Sequence, residues 1–183
     1  MSDASVTPSV FRALADQRGL YNILLGTTLG TTVWHSFIGG PVAYKALPRQ
    51  QFGHLQSKLF PKFFSLQSVA SLALAALYGR SRTVSWTRFW RTGDRNAWAL
   101  VFMVVTGVAN WWFVGPLTTN TMKRRHRLER LEGKEYSDDK ASTEMKQLNR
   151  RFGVLHGVSS LLNLVFLSAA ASHAAYLAAF PPA

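Results

Sequence analysis

The sequence predicts an all-α fold, an integral membrane four-helix bundle with interfacial amphipathic helices and a protruding helical hairpin between spans three and four. Two observations carry this. Charge is sparse, with Asp, Glu, Lys and Arg making up 16% of 183 residues, against about 25% in a typical soluble domain. The charge is also clumped. None of the four types occurs in 20–44, in 97–122 or from Phe152 to the end, and 60–78 holds only Lys62. Each stretch reaches, or nearly reaches, the ~20 apolar residues that cross a hydrocarbon core. A soluble core helix would carry an apolar stripe and not an apolar cylinder. The chain therefore reads as one domain, 1–183, with spans at approximately 20–44, 60–78, 97–117 and 152–178 and an extramembrane helical hairpin at 118–151.

Before the first span, "MSDASVTPSVFRALADQRG" lacks the apolar core and cleavage site of a secretory signal. Its two Arg are offset by two Asp, which makes a poor transit peptide. The first span thus reads as an uncleaved anchor. The next segment, "PRQQFGHLQSKLFPKFF" (48–64), joins a basic half to an apolar one. Phe52, Leu55 and Leu59 fall at i, i+3 and i+7, on one helical face. Such a helix suits the headgroup layer, with an elbow at Pro61 leading into span two. Arg49, His54, Lys58 and Lys62 are its candidate contacts to lipid headgroups.

In the second loop, Trp86, Phe89 and Trp90 with Arg82, Arg88 and Arg91 suit a bilayer interface. In the third, Leu128 with Leu131, and Met145, Leu148 and Phe152, mark two helical faces. Gly133 is the expected helix stop, and Ser137 with Asp138 and Asp139 the expected restart. Spans three and four then form a hairpin protruding by roughly 20 Å.

The formal net charge of +12 flanks the spans, where it meets anionic lipid. A phospholipid membrane is the implied partner, and nucleic acid is not. Loops 45–62 and 123–151 hold four and ten Lys or Arg, against two and five on the other side. The positive-inside rule places those two loops in the cytosol. There is no cysteine, which excludes disulfides, thiolate metal sites and cysteine nucleophiles.

Each span carries a polar seam. Thr28, Thr32 and His35 share a face of span one, and Asn149, His156, Ser160 and Asn163 a face of span four. Gln67 and Asn110 add to it from spans two and three, beside Ser71 and Thr106. Such faces point into the bundle, where they bond helices together or line a site. The two GxxxG patterns, Gly26–Gly30 and Gly153–Gly157, suit close packing. His35 and His156 fall at similar depth, with His54 near them in the elbow, so two imidazoles can ligate a haem iron or relay protons. Haem b on His35 and His156 is the alternative to having no cofactor. His126 and His173 read as ordinary surface or interface residues. No phosphate-binding glycine loop, HExxH motif or intramembrane carboxylate is present, which argues against an enzyme.

"WHSFIGGPVAYK" (34–45) followed by "ALPRQQFGHLQSKLFPKFF" (46–64) resembles the transmembrane protein 205-like family, with "NRRFGVLHGVSSLLNL" (149–164) a looser match. The resemblance implies a eukaryotic multi-pass protein without an established reaction. It favours the endoplasmic reticulum, with a mitochondrial membrane as the alternative. Some members are linked to platinum tolerance. This chain lacks cysteine, and Met103 and Met122 are neither paired nor close in sequence to His35 and His156, so soft-metal handling is not carried over. The expected function is a non-enzymatic membrane protein that organises or binds lipid or a membrane partner, including a second copy of itself. The alternatives are a haem- or porphyrin-binding protein and a small-molecule or ion transporter acting as an oligomer.

Overall fold

The computed structural model describes residues 16–81 and 95–179. Asp16 caps the first helix, its carboxylate accepting from the Arg18 N–H at 3.2 Å. Helix α1 (Gln17–Val33) passes into a π-helical segment (Trp34–Gly39) and then α2 (Gly40–Ala46). Leu47 is extended, as expected of a residue that precedes proline, and α3 (Arg49–Ser81) follows. Helix α4 (Arg95–Ala109), a second π segment (Asn110–Val114) and α5 (Gly115–Glu132) form one path, and α6 (Thr143–Ala179) closes the bundle. Among the described residues, Arg49–Arg80, Asn96–Glu132 and Thr143–Ala179 are long and apolar enough to cross a membrane. The protein is an integral membrane helical bundle.

Both π segments end at a Gly-Pro pair, Gly40-Pro41 and Gly115-Pro116. Proline has no N–H, and its ring clashes with the carbonyl four residues back. One wider turn before the proline relieves that clash while the helix continues. The Gly40 N–H bonds to the His35 carbonyl and the Gly115 N–H to the Asn110 carbonyl, five residues back. The glycines are required by this geometry. A Cβ on Gly40 would lie 2.9 Å from the His35 carbonyl oxygen, and one on Gly115 2.5 Å from that of Asn110.

The bundle has a closed half and an open half. In the closed half, Tyr21 and Leu25 of α1, Leu74 and Tyr78 of α3, Leu100 and Met103 of α4 and Phe166 and Ala170 of α6 form the apolar core. His173 sits inside it, fully buried. Asn96 Oδ1 accepts from His173 Nδ1–H at 2.7 Å, which leaves Nε2 to accept from the Tyr21 hydroxyl. His173 is therefore not a surface residue: its neutral ring joins α1, α4 and α6.

Three further expectations are revised. The basic and apolar halves of 48–64 do not meet at an elbow, because α3 runs unbroken through Pro61. Its buried face carries Gly53, Gln56, Phe63, Phe64 and Gln67, and Leu59 is left 39% exposed. Helix α6 begins at Thr143 and not near Ser137, because the Ser142 hydroxyl accepts from the Met145 N–H at 3.1 Å. Gly133 does end α5, in the left-handed region at φ 61°, but Leu131 is 73% exposed while Leu128 is half-buried, so the two do not share a buried face. Trp86, Phe89, Trp90 and the neighbouring arginines lie outside the described residues.

The π geometry makes a directional prediction. Gly115→Ala pushes a methyl against backbone and should cost about 1–3 kcal/mol. Gly153→Ala, where a Cβ meets nothing within 4 Å, should be neutral. Thermal melts of the two detergent-purified variants check this, and equal melts would refute it.

Candidate functional site

The open half contains a cavity of about 840 Å3. It lies where the π segments widen their helices. Residues 35–37, Gly40, Pro41 and Tyr44 line it from the first path, Gly115 and Thr118 from α5, and Asn163, Leu164 and Leu167 from α6. Phe52, Phe60 and Phe64 of α3 supply an aromatic wall. Phe37, Tyr44, His156 and Ser160 are at once cavity-lining and exposed, so the cavity opens sideways between the first path and α6.

The polar seam forms the boundary between this cavity and the core. Gln67 Nε2 donates to Thr32 Oγ1 at 3.0 Å and to Asn163 Oδ1 at 2.9 Å, and Asn163 Nδ2 donates to Ser36 Oγ at 2.8 Å. Asn110 Nδ2 donates to the Ser159 carbonyl at 3.1 Å. Thr28 is fully buried and bonds back to the Leu24 carbonyl. The structure thus brings Thr32, Gln67 and Asn163 into one chain of bonds, with Asn110 in a separate contact. Ser160 and His156 face the cavity without joining that chain.

His35 and His156 do share the cavity. They are presented differently. His35 packs between Phe60 and Phe63, with ring centroids 5.1 and 4.5 Å away, and its Nε2 is buried with no hydrogen-bond partner. His156 stacks nearly parallel on Phe152 at 5.7 Å. No three His, Asp or Glu side chains converge as a metal-binding set among the described residues. The third cavity histidine is His126 and not His54, which is exposed on α3. His126 is half-buried against Gly53, where a Cβ would lie 2.5 Å from its Cε1 and 3.0 Å from Met122 Sδ. Met122, one turn before His126, also lines the cavity with His35 and His156.

Of the four expected headgroup contacts, His54, Lys58 and Lys62 are exposed at steps of four along α3 and so share one face. Arg49 is turned inward. It pairs with Glu129 and lies 4.0 Å over the Tyr136 ring. Glu129 is 4% exposed and also accepts the Tyr136 N–H at 2.9 Å. Arg125, one turn before it, is 6% exposed, with its guanidinium 4.6 Å over Tyr136 and 4.5 Å over Phe152. Burial, and then repulsion from Arg49, lower the Arg125 pKa below the ordinary guanidinium value, while Glu129 and Tyr136 oppose the shift. Sequence reading missed this cluster. Its one visible signal was Arg125, Glu129 and Phe152 at helical spacing in two segments whose pairing only the fold reveals.

The comparisons with known proteins are consistent with the bundle. Residues 23–127 match the family described as "Domain of unknown function (DUF4149)". The chain is 28% identical over 161 residues to "Transmembrane protein 205" of Danio rerio, covering 80% of this chain and 83% of the relative. It is 26% identical over 154 residues to "Xanthocillin biosynthesis cluster protein D" of Aspergillus fumigatus, covering 81% of each. No solved structure matches.

Two outcomes follow from this geometry. Gln67→Leu removes both bonds between helices and should cost about 0.6–1.7 kcal/mol in a thermal melt. A stabilised variant would mean that the seam is not holding the helices. For His126, burial first, and then Arg49, Arg125 and Arg130, lower the pKa below the ordinary imidazole value, against Glu129. The unfolded chain then takes the proton first. The stability from neutral His126 is fully present above pH ~6.5 and declines as pH falls below it. Melting temperature should drop between pH 7.5 and 5.5, and by less in His126→Asn. Equal slopes would contradict the assignment.

Proposed function

This chain belongs to the transmembrane protein 205-like family that carries the DUF4149 domain, and we propose on that premise that it is a non-enzymatic membrane protein that holds an amphiphile of the bilayer in its side-opening cavity. The observation that carries this reading is the cavity itself. At about 840 Å3 it falls within the 300–1,000 Å3 typical of ligand sites. Its walls combine apolar and polar side chains. Phe60, Phe64, Leu164 and Leu167 offer apolar contact, and Ser159, Ser160, Thr118 and Asn163 offer hydrogen bonds. A lateral mouth suits entry from lipid and not from water.

The same reading gives the chain four crossings. The path from Gln17 to Ala46 supplies the first, as its uncharged stretch 20–44 is long enough to do so. Both termini then share a side, and loops 45–62 and 123–151 face the cytosol from an endoplasmic reticulum membrane. On that side the exposed His54, Lys58 and Lys62 lie at the level of lipid phosphates and hold the bundle to the surface.

Native mass spectrometry of the detergent-purified protein tests the cavity. The wild type should retain a lipid through purification. Ser160→Trp, which fills the cavity, should lose it. Leu161→Trp, on the 61% exposed outer face, should keep it. Equal lipid retention by both variants would remove the cavity from the account.

A further inference from the structure

We propose that Arg125 is the anchor for a phosphate group, and that the amphiphile held in the cavity is one whose head carries an anionic phosphate. The inference rests on the cavity reading above and deepens it. It starts from charge. Two guanidinium groups, Arg49 and Arg125, and one carboxylate, Glu129, meet at the cavity end that lies beyond the spans. Glu129 is already occupied: one oxygen takes Arg49 and the Tyr136 N–H, and the other lies 3.5 Å from Gln50 Nε2. Its charge reaches Arg125 along the helix, but its ion pair is with Arg49.

Among the described residues, the buried Arg125 cation thus has no anion in contact. Its Nε is buried and has no hydrogen-bond partner. Buried cations are ordinarily paired, so an exception beside a cavity marks where a ligand supplies the missing charge. The guanidinium is also pre-oriented. Its place over the Tyr136 and Phe152 rings confines the group, and a confined guanidinium suits the paired N–H bonds that a phosphate accepts. The hydroxyls of Thr119 on α5 and Ser160 on α6 also line the cavity. The cluster is built from three elements. Arg49 belongs to α3, Arg125 and Glu129 to α5, and Phe152 to α6, with Tyr136 in the connection between the last two. Such a site is more than a basic patch, whose side chains would be solvated.

The test uses the full chain in a neutral detergent, titrated separately with dioleoylphosphatidic acid, dioleoylglycerol and inorganic phosphate, with bound species counted by native mass spectrometry. Phosphatidic acid should bind at least ten-fold more tightly than dioleoylglycerol, which shares its chains but has no phosphate. Arg125→Gln should abolish that preference while leaving dioleoylglycerol binding within about two-fold. Equal binding of the two lipids by the wild type overturns the phosphate inference and leaves the cavity reading standing. Binding of inorganic phosphate with neither lipid supports the Arg125 anchor but overturns the amphiphile. Binding of none of the three overturns both. Should Arg125→Gln fail to fold, Arg125→Lys keeps the charge and loses the planar fork. It should retain a weakened preference, and the wild-type comparison alone still decides the matter.

Discussion

A backbone in hydrocarbon has no water to bond, so each span must satisfy its own N–H and C=O groups. Pro41 and Pro116 break that rule locally, since neither has an N–H to give. The chain resolves both cases alike, with a π turn that ends at a glycine. Much of the structure depends on this accommodation. The wider turns displace His35 and Ser36 on one path and Gly115 on the other from regular helical register. Between these displaced positions the bundle fails to close, and the cavity is the space that results. A π turn costs regular hydrogen-bond geometry and is retained mostly where it serves a site.

Opposite the cavity, packing is complete. His173 is fully buried, and both of its ring nitrogens are used. The chain of bonds through Thr32, Gln67, Asn163 and Ser36 then marks the limit of the closed region. Polar groups in these helices therefore serve two purposes in sequence. Nearer the termini they cross-link the core. Further along they form the floor of an opening. Small residues contribute less than their pattern suggests, because a Cβ at Gly26, Gly30, Gly153 or Gly157 would meet nothing within 4 Å.

The fold class was legible because charge-free runs are set by the bilayer and survive any detail of packing. The seam was legible for the same reason, as helical spacing places Thr32 beside His35 and His156 beside Ser160. The histidines were harder. His173 lies in an apolar stretch near the chain end, and only the approach of Tyr21 and Asn96, 152 and 77 residues away, gives it a buried role. His126 sits in a run of basic residues that reads as solvated surface. Its burial depends on Gly53, whose missing side chain cannot be read as a contact from sequence. The helix start at Thr143 was misplaced because Ser137 and Ser142 both offer capping oxygens, and the Tyr136 contacts to Glu129 and Asn149 keep the intervening segment out of the helix. Local propensity does not contain that choice.

Gly53 carries one more consequence, for how such a protein can change over generations. The separation of α3 from α5 at the cavity is set there by a side chain that is not present, and what stands against it is the tip of His126 and the end of Met122 rather than backbone. Each methyl or larger group added at 53 narrows the chamber by displacing flexible atoms. The apolar core around Leu74, Leu100 and Phe166 is far along the bundle and feels none of it. The width of the chamber and the packing of the apolar core are therefore set at separate places along the bundle.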